Sequence, residues 1–223
     1  MSFIQIVQQS LPKLLNGLIV TVYLTLFAAG VGFVFGILLC VGRVYANKFV
    51  SFLCVGFIEL IRGTPMLVQL FILYYGLPVY GLRLSPLAAA LIGFTINSAA
   101  YQAEYIRGAI QSIGAGQLRA AHSIGMTKWQ AVRLIILPQA LRRVIPAWTN
   151  EFIYLLKYTS MAYIIGAPEM MAQAKFIASR NFEFFRVYLL TALIYLSVVW
   201  LSAYLFSLLE KRLRIPGTIV GER

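Results

Sequence analysis

The chain has 223 residues, of which 61% are hydrophobic and 12% are charged, and its formal net charge is +12. A soluble globular domain carries about 25% charged residues, so this composition excludes a soluble domain and indicates an integral membrane protein. The 19 basic residues flank long apolar runs instead of forming one patch with stacking aromatic side chains, which argues against nucleic-acid binding. The length fits a single domain over residues 1–223.

Long apolar stretches predict membrane-spanning helices, because crossing a hydrocarbon core of about 30 Å takes roughly 20 apolar residues. Five stretches qualify: Leu18–Val41, Phe49–Tyr75, Leu87–Ile110, Val144–Ile165 and Val187–Leu209. They are too long and too uniformly apolar for barrel strands, which alternate over about 10 residues. The predicted fold is all-α, a bundle of about five transmembrane helices.

The positions of the basic residues predict the orientation of the bundle, because arginine and lysine collect in cytoplasmic segments. With the N-terminus outside, twelve basic residues fall inside, among them Arg214 and Arg223, and five fall outside. The polar Met1–Asn16 lacks a cleavage site and is expected to stay outside. Ala167–Phe185 is expected to form a second outside loop, and the C-terminus is predicted to be cytoplasmic.

The longest predicted cytoplasmic loop covers about residues 111–143. Its pattern predicts a short amphipathic helix at Gln117–Ile124, broken by Gly125, and a second amphipathic piece at Trp129–Leu137 that ends at Pro138. Glycine takes a positive φ at little cost, and proline suits the first turn of a following helix. Loops of this length are usually functional, so a cytoplasmic partner is expected to bind here. A helix lying on lipid headgroups is the alternative.

The spacing inside this loop resembles a motif of ABC-importer permeases: Glu-Ala-Ala, three residues, Gly, nine residues, Ile, one residue, Leu-Pro. This chain carries the same spacing, with one departure, in Arg119, Ala120, Ala121, Gly125, Ile135, Leu137 and Pro138. Arg62-Gly63-Thr64-Pro65 and Asn97-Ser98-Ala99-Ala100-Tyr101 resemble the polar amino-acid permeases of that family, which contains the inner-membrane components of binding-protein-dependent transport systems. The resemblance covers roughly residues 10–212.

The resemblance implies a type I ABC importer-like permease in the cell inner membrane. Such permeases pair as homodimers or heterodimers, and each docks a cytoplasmic ABC ATPase subunit against the loop at about residues 111–143. An extracytoplasmic binding protein delivers a polar amino acid. The ATPase partner binds ATP and Mg, so this chain is expected to be no enzyme and to bind no cofactor itself. In agreement, the sequence contains no G-x-x-x-x-G-K-[ST] phosphate loop.

Polar and ionisable residues within the predicted spans are candidates for the substrate path, because burying them in hydrocarbon is costly. Those candidates are Arg62, Asn97, Tyr101, Glu104, Glu151 and Lys157. A zwitterionic amino acid needs an acceptor for its ammonium group, which Glu104 with Asn97 would supply, and a donor for its carboxylate, which Lys157 or Arg62 would supply. A structural hydrogen-bond network between spans is the alternative, and for Arg62 so is snorkelling to headgroups.

One position in the fourth span departs from the resemblance. Relatives commonly read Lys-Asp-Thr-Ser where this chain has Lys157-Tyr158-Thr159-Ser160. The missing carboxylate argues against transferring a site for basic amino acids. It also fits a subunit that lines the path without holding the substrate.

Three other functions remain open at this point: a stand-alone channel or secondary transporter, an ABC permease for another small polar solute, and a membrane enzyme. The structured loop argues against the first. An enzyme would need a catalytic pair or a metal set, and His122 is the only histidine. Cys40 and Cys54 fall in or beside apolar runs and predict neither a disulfide nor a metal site.

Overall fold

The computed structural model describes residues 3–113 and 115–213, and throughout these ranges the ordered elements are helices. Arg214 and Arg223, two of the residues predicted to be cytoplasmic, lie outside the described residues. The helices are α1 (Phe3–Tyr45), α2 (Lys48–Arg62), α3 (Met66–Phe71), α4 (Pro86–Gln111), α5 (Ala115–Ser123), α6 (Lys128–Ala131), α7 (Leu137–Arg143), α8 (Ile145–Tyr158), α9 (Met170–Asn181) and α10 (Phe184–Leu213).

Two helices of the described chain, α1 and α10, are long and apolar enough to cross a membrane unaided. The second predicted span is bent: α2 and the helical stretch from Met66 to Tyr80 meet at an angle of 102°, so the pair forms a broken span or a re-entrant loop. The third prediction, Leu87–Ile110, coincides with α4. The fourth corresponds to α8, which a 3₁₀ segment, Thr159–Ile165, prolongs.

The bundle is built around the contact between α1 and α4. A Cβ atom on Gly32 would lie 3.0 Å from the side chain of Ser98, and one on Gly36 would lie 3.0 Å from the Cβ atom of Gln102. Small residues let helix backbones approach closely where lipid supplies no hydrophobic driving force. Phe94, fully buried, packs in the core that α1, α4 and α8 share.

The short helix α9 is fixed to α1 and α10 by the buried carboxylate of Glu169. This carboxylate accepts hydrogen bonds from the backbone N–H groups of Met171 (2.8 Å) and Ala172 (2.7 Å), which caps the helix N-terminus. Thr21 of α1 donates to it at 3.4 Å and Tyr195 of α10 donates at 3.2 Å. The Ala167–Phe185 segment, which contains α9, is therefore a packed element of the bundle.

The two long loops lie at opposite ends of α1, as the predicted topology requires. On α9, Phe176 contacts Lys13 in the first turns of α1, with the Lys13 Nζ atom 5.7 Å from its ring centroid. In the cytoplasmic loop, the Lys128 ammonium donates to the backbone carbonyl of Tyr45, at the last residue of α1, over 3.0 Å.

In the loop at about residues 111–143, the predicted glycine break is confirmed, and so is the place of Pro138 in the first turn of a following helix. The second helical piece runs on into that helix instead of ending before it. Gly125 has a φ of +81°, in the left-handed region that favours glycine. Beyond it, the second piece continues as a π-helical turn, Val132–Ile136, and then as α7 up to Arg143. Pro138 lies in the first turn of α7, where its missing N–H leaves no helical hydrogen bond unmade.

Candidate functional site

One face of α4 packs against the broken span, and it carries the polar stripe of Gly93, Asn97, Tyr101 and Glu104. A Cβ atom on Gly93 would lie 3.0 Å from the side chain of Leu70 in α3 and 3.3 Å from that of Met66. One turn further along α4, the Asn97 amide donates to the Gln69 carbonyl oxygen at 3.1 Å. After one more turn, the guanidinium of Arg62 stacks on the ring of Tyr101 at 5.3 Å. The helical spacing of these residues predicts that they share one face, and the structure shows what covers it.

Glu104, a candidate acceptor for a substrate ammonium, is surrounded by arginines from three helices. Arg43 of α1 forms a hydrogen-bonded ion pair with one of its oxygens. Arg107 of α4 is bound through two nitrogens, with Nη2 at 2.8 Å, and Arg62 of α2 lies at 3.6 Å. The Glu104 side chain is only 11% exposed. These contacts support the structural-network interpretation of Glu104, because its charge is already neutralised within the chain.

Glu151 is also engaged inside the protein. It is buried, and the hydroxyl of Tyr105 on α4 donates to its carboxylate at 3.3 Å. Glu104 and Glu151 were predicted to lie at the same depth, and the contact of Glu151 with Tyr105, the neighbour of Glu104 in sequence, agrees with that. The described contacts bring neither carboxylate to Lys157. The six candidates therefore divide into one cluster around α4, which holds Arg62, Asn97, Tyr101 and Glu104, a separate buried group at Glu151, and Lys157.

Lys157 is exposed in the chain and lies on the outward face of α8. Its ammonium stands 4.5 Å from the ring centroid of Tyr154, and no acid among the described residues forms an ion pair with it. Tyr154 and Tyr158 are exposed on the same face, and their ring centroids are 6.3 Å apart. An unpaired ammonium within a span is costly to expose to lipid, so Lys157 stays a candidate for the substrate path.

The loop at about residues 111–143 is tied to the bundle at two points. Arg143 donates to the carbonyl of Ser112 at 2.7 Å, which ties the end of α7 to the end of α4. Thr127 and Gln130 form a reciprocal capping box at the start of α6. Next to this box, in the middle of the loop, Lys128 is bound to the end of α1.

Within α5, Arg119 and Ala120 are exposed, whereas Ala121 is 1% exposed. Ala121 therefore lies on the side of the helix that packs within the chain, and of the two motif alanines only Ala120 is exposed to a partner. Its small side chain serves packing within the chain. Of the remaining motif residues, Ile135 and Leu137 are half-buried and Pro138 is exposed.

A cavity of about 550 Å³ lies between α1, α2 and α4. It offers no site for a polar solute, because its lining contains one hydroxyl and no charge: Phe27, Phe35, Leu39, Phe57, Ala88, Leu91, Ile92, Thr95, Ile96 and Ala99. Among the described residues, no group of three His, Cys, Asp or Glu side chains could hold a metal ion.

Sequence reasoning did not name four residues of these networks as candidates: Arg43, Gln69, Tyr105 and Arg107. Arg43 follows the first predicted apolar stretch as one of the basic flanking residues, yet its guanidinium reaches Glu104. Gln69 lies in an apolar run and drew no attention. Its position four residues after Pro65, on the far side of a predicted helix break, is the signal that would have identified it, because a break leaves carbonyls without partners.

Comparison with known proteins agrees with this architecture. The chain matches the family described as "Binding-protein-dependent transport system inner membrane component" over residues 31–215. A probable amino-acid ABC transporter permease protein of Bacillus subtilis, YckA, is 39% identical over 204 residues, covering 92% of this chain and 90% of that protein. The glutamine transport system permease protein GlnP of Escherichia coli K12 is 34% identical over 208 residues, covering 92% and 95% respectively.

A solved structure supports the same assignment. A crystal structure described as an amino acid ABC transporter with histidines matches with a TM-score of 0.88 and 37% sequence identity, covering 95% of this chain and 99% of that chain. An inward-facing MetNI methionine ABC transporter shares the fold, with a TM-score of 0.72 at 21% identity. From the family match and these relatives, the chain belongs to the family of binding-protein-dependent transport system inner membrane components.

Proposed function

We propose that this chain is the transmembrane subunit of an ATP-driven importer that carries polar amino acids from an extracytoplasmic binding protein across the inner membrane. The observation that carries the proposal is Lys157, an exposed ammonium in the fourth predicted span, which lies over the ring of Tyr154, itself paired with the ring of Tyr158. Such a group can bind the carboxylate that every amino acid carries, and the neighbouring rings can receive its ammonium. The names of the relatives, a glutamine permease among them, support this substrate class.

The same face defines which amino acids fit. Glu104 is neutralised by arginines and Glu151 is buried against Tyr105, so neither offers a free carboxylate to a basic side chain. Tyr158 stands where relatives commonly carry an aspartate. The expected substrates therefore have neutral or acidic side chains, and lysine and arginine are expected to be poor ones.

The partners follow from the two exposed surfaces at the ends of the bundle. The loop that carries Arg119 and Ala120 is the expected dock for a cytoplasmic ABC ATPase subunit, which binds ATP and Mg. At the opposite end, Lys175 and Arg180 are exposed on α9, and no acid of the described chain forms an ion pair with them. This basic surface suits a binding protein with an acidic face. A second permease subunit, identical or not, would cover the α8 face.

The decisive experiment reconstitutes the chain in liposomes with its ATPase and binding protein and measures uptake over a panel of amino acids. ATP-dependent uptake of neutral or acidic amino acids is expected, with little uptake of lysine or arginine. Uptake that persists without the ATPase and follows the substrate gradient would indicate a channel or secondary transporter. Strong uptake of arginine would contradict the substrate class while leaving the importer intact.

The proposed orientation, with the N-terminus outside and the C-terminus cytoplasmic, has its own test. Single cysteines are introduced at Ser179 in α9 and Ser123 in α5, both exposed, in a chain lacking Cys40 and Cys54. An impermeant thiol reagent added to intact cells should label position 179 and spare position 123. The opposite result would invert the orientation.

A further inference from the structure

The break between α2 and α3 leaves backbone carbonyls that one side chain satisfies. Pro65 has no N–H group to continue the helical ladder. The amide nitrogen of Gln69 donates to the carbonyl of Ile61 at 2.7 Å, to the carbonyl of Thr64 at 3.1 Å and lies 2.9 Å from the Thr64 hydroxyl. The Thr64 hydroxyl in turn donates to the carbonyl of Leu60 at 2.9 Å. These carbonyls accept hydrogen bonds from side chains of the chain itself and are therefore not left open for an ion or a substrate.

The other end of the same amide is held by α4. The Gln69 carbonyl oxygen accepts from the Asn97 amide at 3.1 Å, and both side chains are buried, with 8% and 6% of their surface exposed. Gln69 therefore joins the end of α2, the start of α3 and the middle of α4 through one rigid, planar group. A buried amide left without these partners would be costly, so the arrangement is stable only when all three elements are in place.

Contacts above and below Gln69 hold the same three elements. On the α3 side, Gly93 admits Leu70 and Met66 against the backbone of α4. On the α2 side, Arg62 reaches Glu104 at 3.6 Å and stacks on Tyr101. The contacts cover about three turns of α4 on one face. Because they lie on both sides of the break, rotation about it would strain one set or the other.

We infer that Gln69 is a positioning residue that sets the angle of the broken span, so that α2, α3 and α4 move through the transport cycle as one body. Glycine and proline at a helix break suggest a hinge from sequence alone, and the amide contacts reverse that expectation. The polar stripe of α4 supplies one side of this joint, by which we mean the contact of α2, α3 and α4 around Gln69. The effect on transport rests on the proposed function, whereas the rigidity of the joint does not.

The first arm of the test needs only this chain. Spin labels are placed at Phe52→Cys in α2 and Val79→Cys beyond α3, both highly exposed positions, in a chain lacking Cys40 and Cys54. The labelled chain is diluted with unlabelled chain in lipid nanodiscs, and the distance between the labels is measured by pulsed electron paramagnetic resonance. A narrow distribution is expected, and Gln69→Leu should broaden or shift it.

Two further variants keep this arm decisive. Gln69→Glu retains an acceptor for Asn97 and loses the donated bonds, so it should broaden the distribution as the leucine variant does, and it serves if that variant fails to fold. Gln102→Leu is the matched control: it removes a buried amide from the opposite side of α4, where Gln102 donates to the carbonyl of Ala29 at 3.1 Å. Its distribution should stay narrow. A narrow distribution in both Gln69 variants would overturn the inference.

The second arm follows the joint through the cycle in the assembled transporter. The label distance should be the same without nucleotide and with a non-hydrolysable ATP analogue. A shift of about one helical turn, roughly 5 Å, would show that the break is a hinge. In uptake assays, Gln69→Glu should lower the maximal rate more than it changes KM, whereas Gln102→Leu should change neither per assembled complex. If uptake does not depend on the ATPase subunit, the proposed function fails, but the label distances of the first arm still decide whether the joint is rigid.

Discussion

The polar residues of α4 and those of α8 look alike in sequence and differ in what the fold leaves for them to do. On α4, Asn97, Tyr101 and Glu104 are each bound by a side chain from another helix. On α8, the Lys157 ammonium lies over a tyrosine ring, forms no ion pair with an acid of the described residues, and stays exposed. Both regions lie within predicted spans, so the cost of burying polar and charged side chains in hydrocarbon identifies both equally as candidates for the substrate path.

The difference teaches that an ionisable residue in a span points to a substrate path only when the fold has not already neutralised it. Glu104 has three arginines around it, from α1, α2 and α4. Lys157 has no described counter-charge. A substrate carboxylate would therefore gain a partner at Lys157, whereas a substrate ammonium at Glu104 would have to displace an arginine.

The largest effect is expected from Lys157→Ala. Losing a hydrogen bond to a charged group costs about 1.5–3 kcal/mol, which is roughly a ten- to hundredfold fall in transport at low substrate concentration. Lys157→Arg should retain part of the activity because it keeps the charge. Uptake per assembled complex measures both variants. Unchanged uptake in the alanine variant would remove α8 from the path.

Glu104→Gln should lower the stability of the protein and leave substrate transport unchanged. Arg62 and Arg107 would lose the carboxylate they pair with, and Arg43 would keep only Glu59, at 3.6 Å, at a cost of about 1–3 kcal/mol. The midpoint of thermal unfolding in detergent should fall, while uptake per assembled complex persists. Glu183→Gln is the matched control, since Glu183 pairs with a half-exposed arginine, Arg186, and such pairs contribute little. Normal stability with lost uptake would return Glu104 to the path.

Gly125→Leu should uncouple ATP hydrolysis from substrate delivery. Gly125 has a φ of +81°, and a Cβ atom there would meet nothing within 4 Å, so the cost of about 1–2 kcal/mol comes from the backbone and not from a clash. Gly125→Asn should be milder, because asparagine tolerates the left-handed region. Substrate-stimulated ATPase activity of reconstituted complexes separates the two. Equal, normal stimulation in both would show that this turn does not transmit the signal.

The smallest effect is expected from Arg119→Glu. Arg119 is exposed, and a charge at the rim of an interface changes association rate and partner choice more than total affinity. The variant should associate more slowly with the native ATPase, increasingly so at low ionic strength, and couple normally once assembled. Association rates measured by biolayer interferometry test this. An unchanged rate at low salt would place Arg119 outside the docking surface.

The apolar runs were sufficient to predict where the longer helices lie, because lipid imposes length and hydrophobicity on any helix that crosses it. The bounds of α4 and α10 follow the predicted stretches within a few residues, whereas only α1 and α10 of the described helices are long and apolar enough to cross unaided. The joint around Gln69 was out of reach, since it depends on which side of α3 meets α4. Pro138 lies in the first turn of a following helix as predicted, but the sequence did not reveal the π-helical turn that joins this helix to the piece before it.

The candidate site was predicted as a set of residues and not as an arrangement. Sequence spacing placed Glu104 and Glu151 at one depth, which agrees with the contact between Tyr105 and Glu151. Spacing along one helix says nothing about partners from others, so the arginines around Glu104 were not foreseen. Ala121 shows the same limit, because the spacing of the motif does not tell which of two adjacent alanines faces inward.

The cap of α9 bears on how the protein is made. Glu169 finds one partner, Thr21, 148 residues before it and another, Tyr195, 26 residues after it. A growing chain inserted as far as α9 still lacks the second partner, so this carboxylate has its full set of hydrogen bonds only after the final helix has entered the membrane. Chains truncated before α10 should therefore carry an incompletely satisfied buried acid, and a membrane protease that surveys new proteins could distinguish them from finished ones at this point.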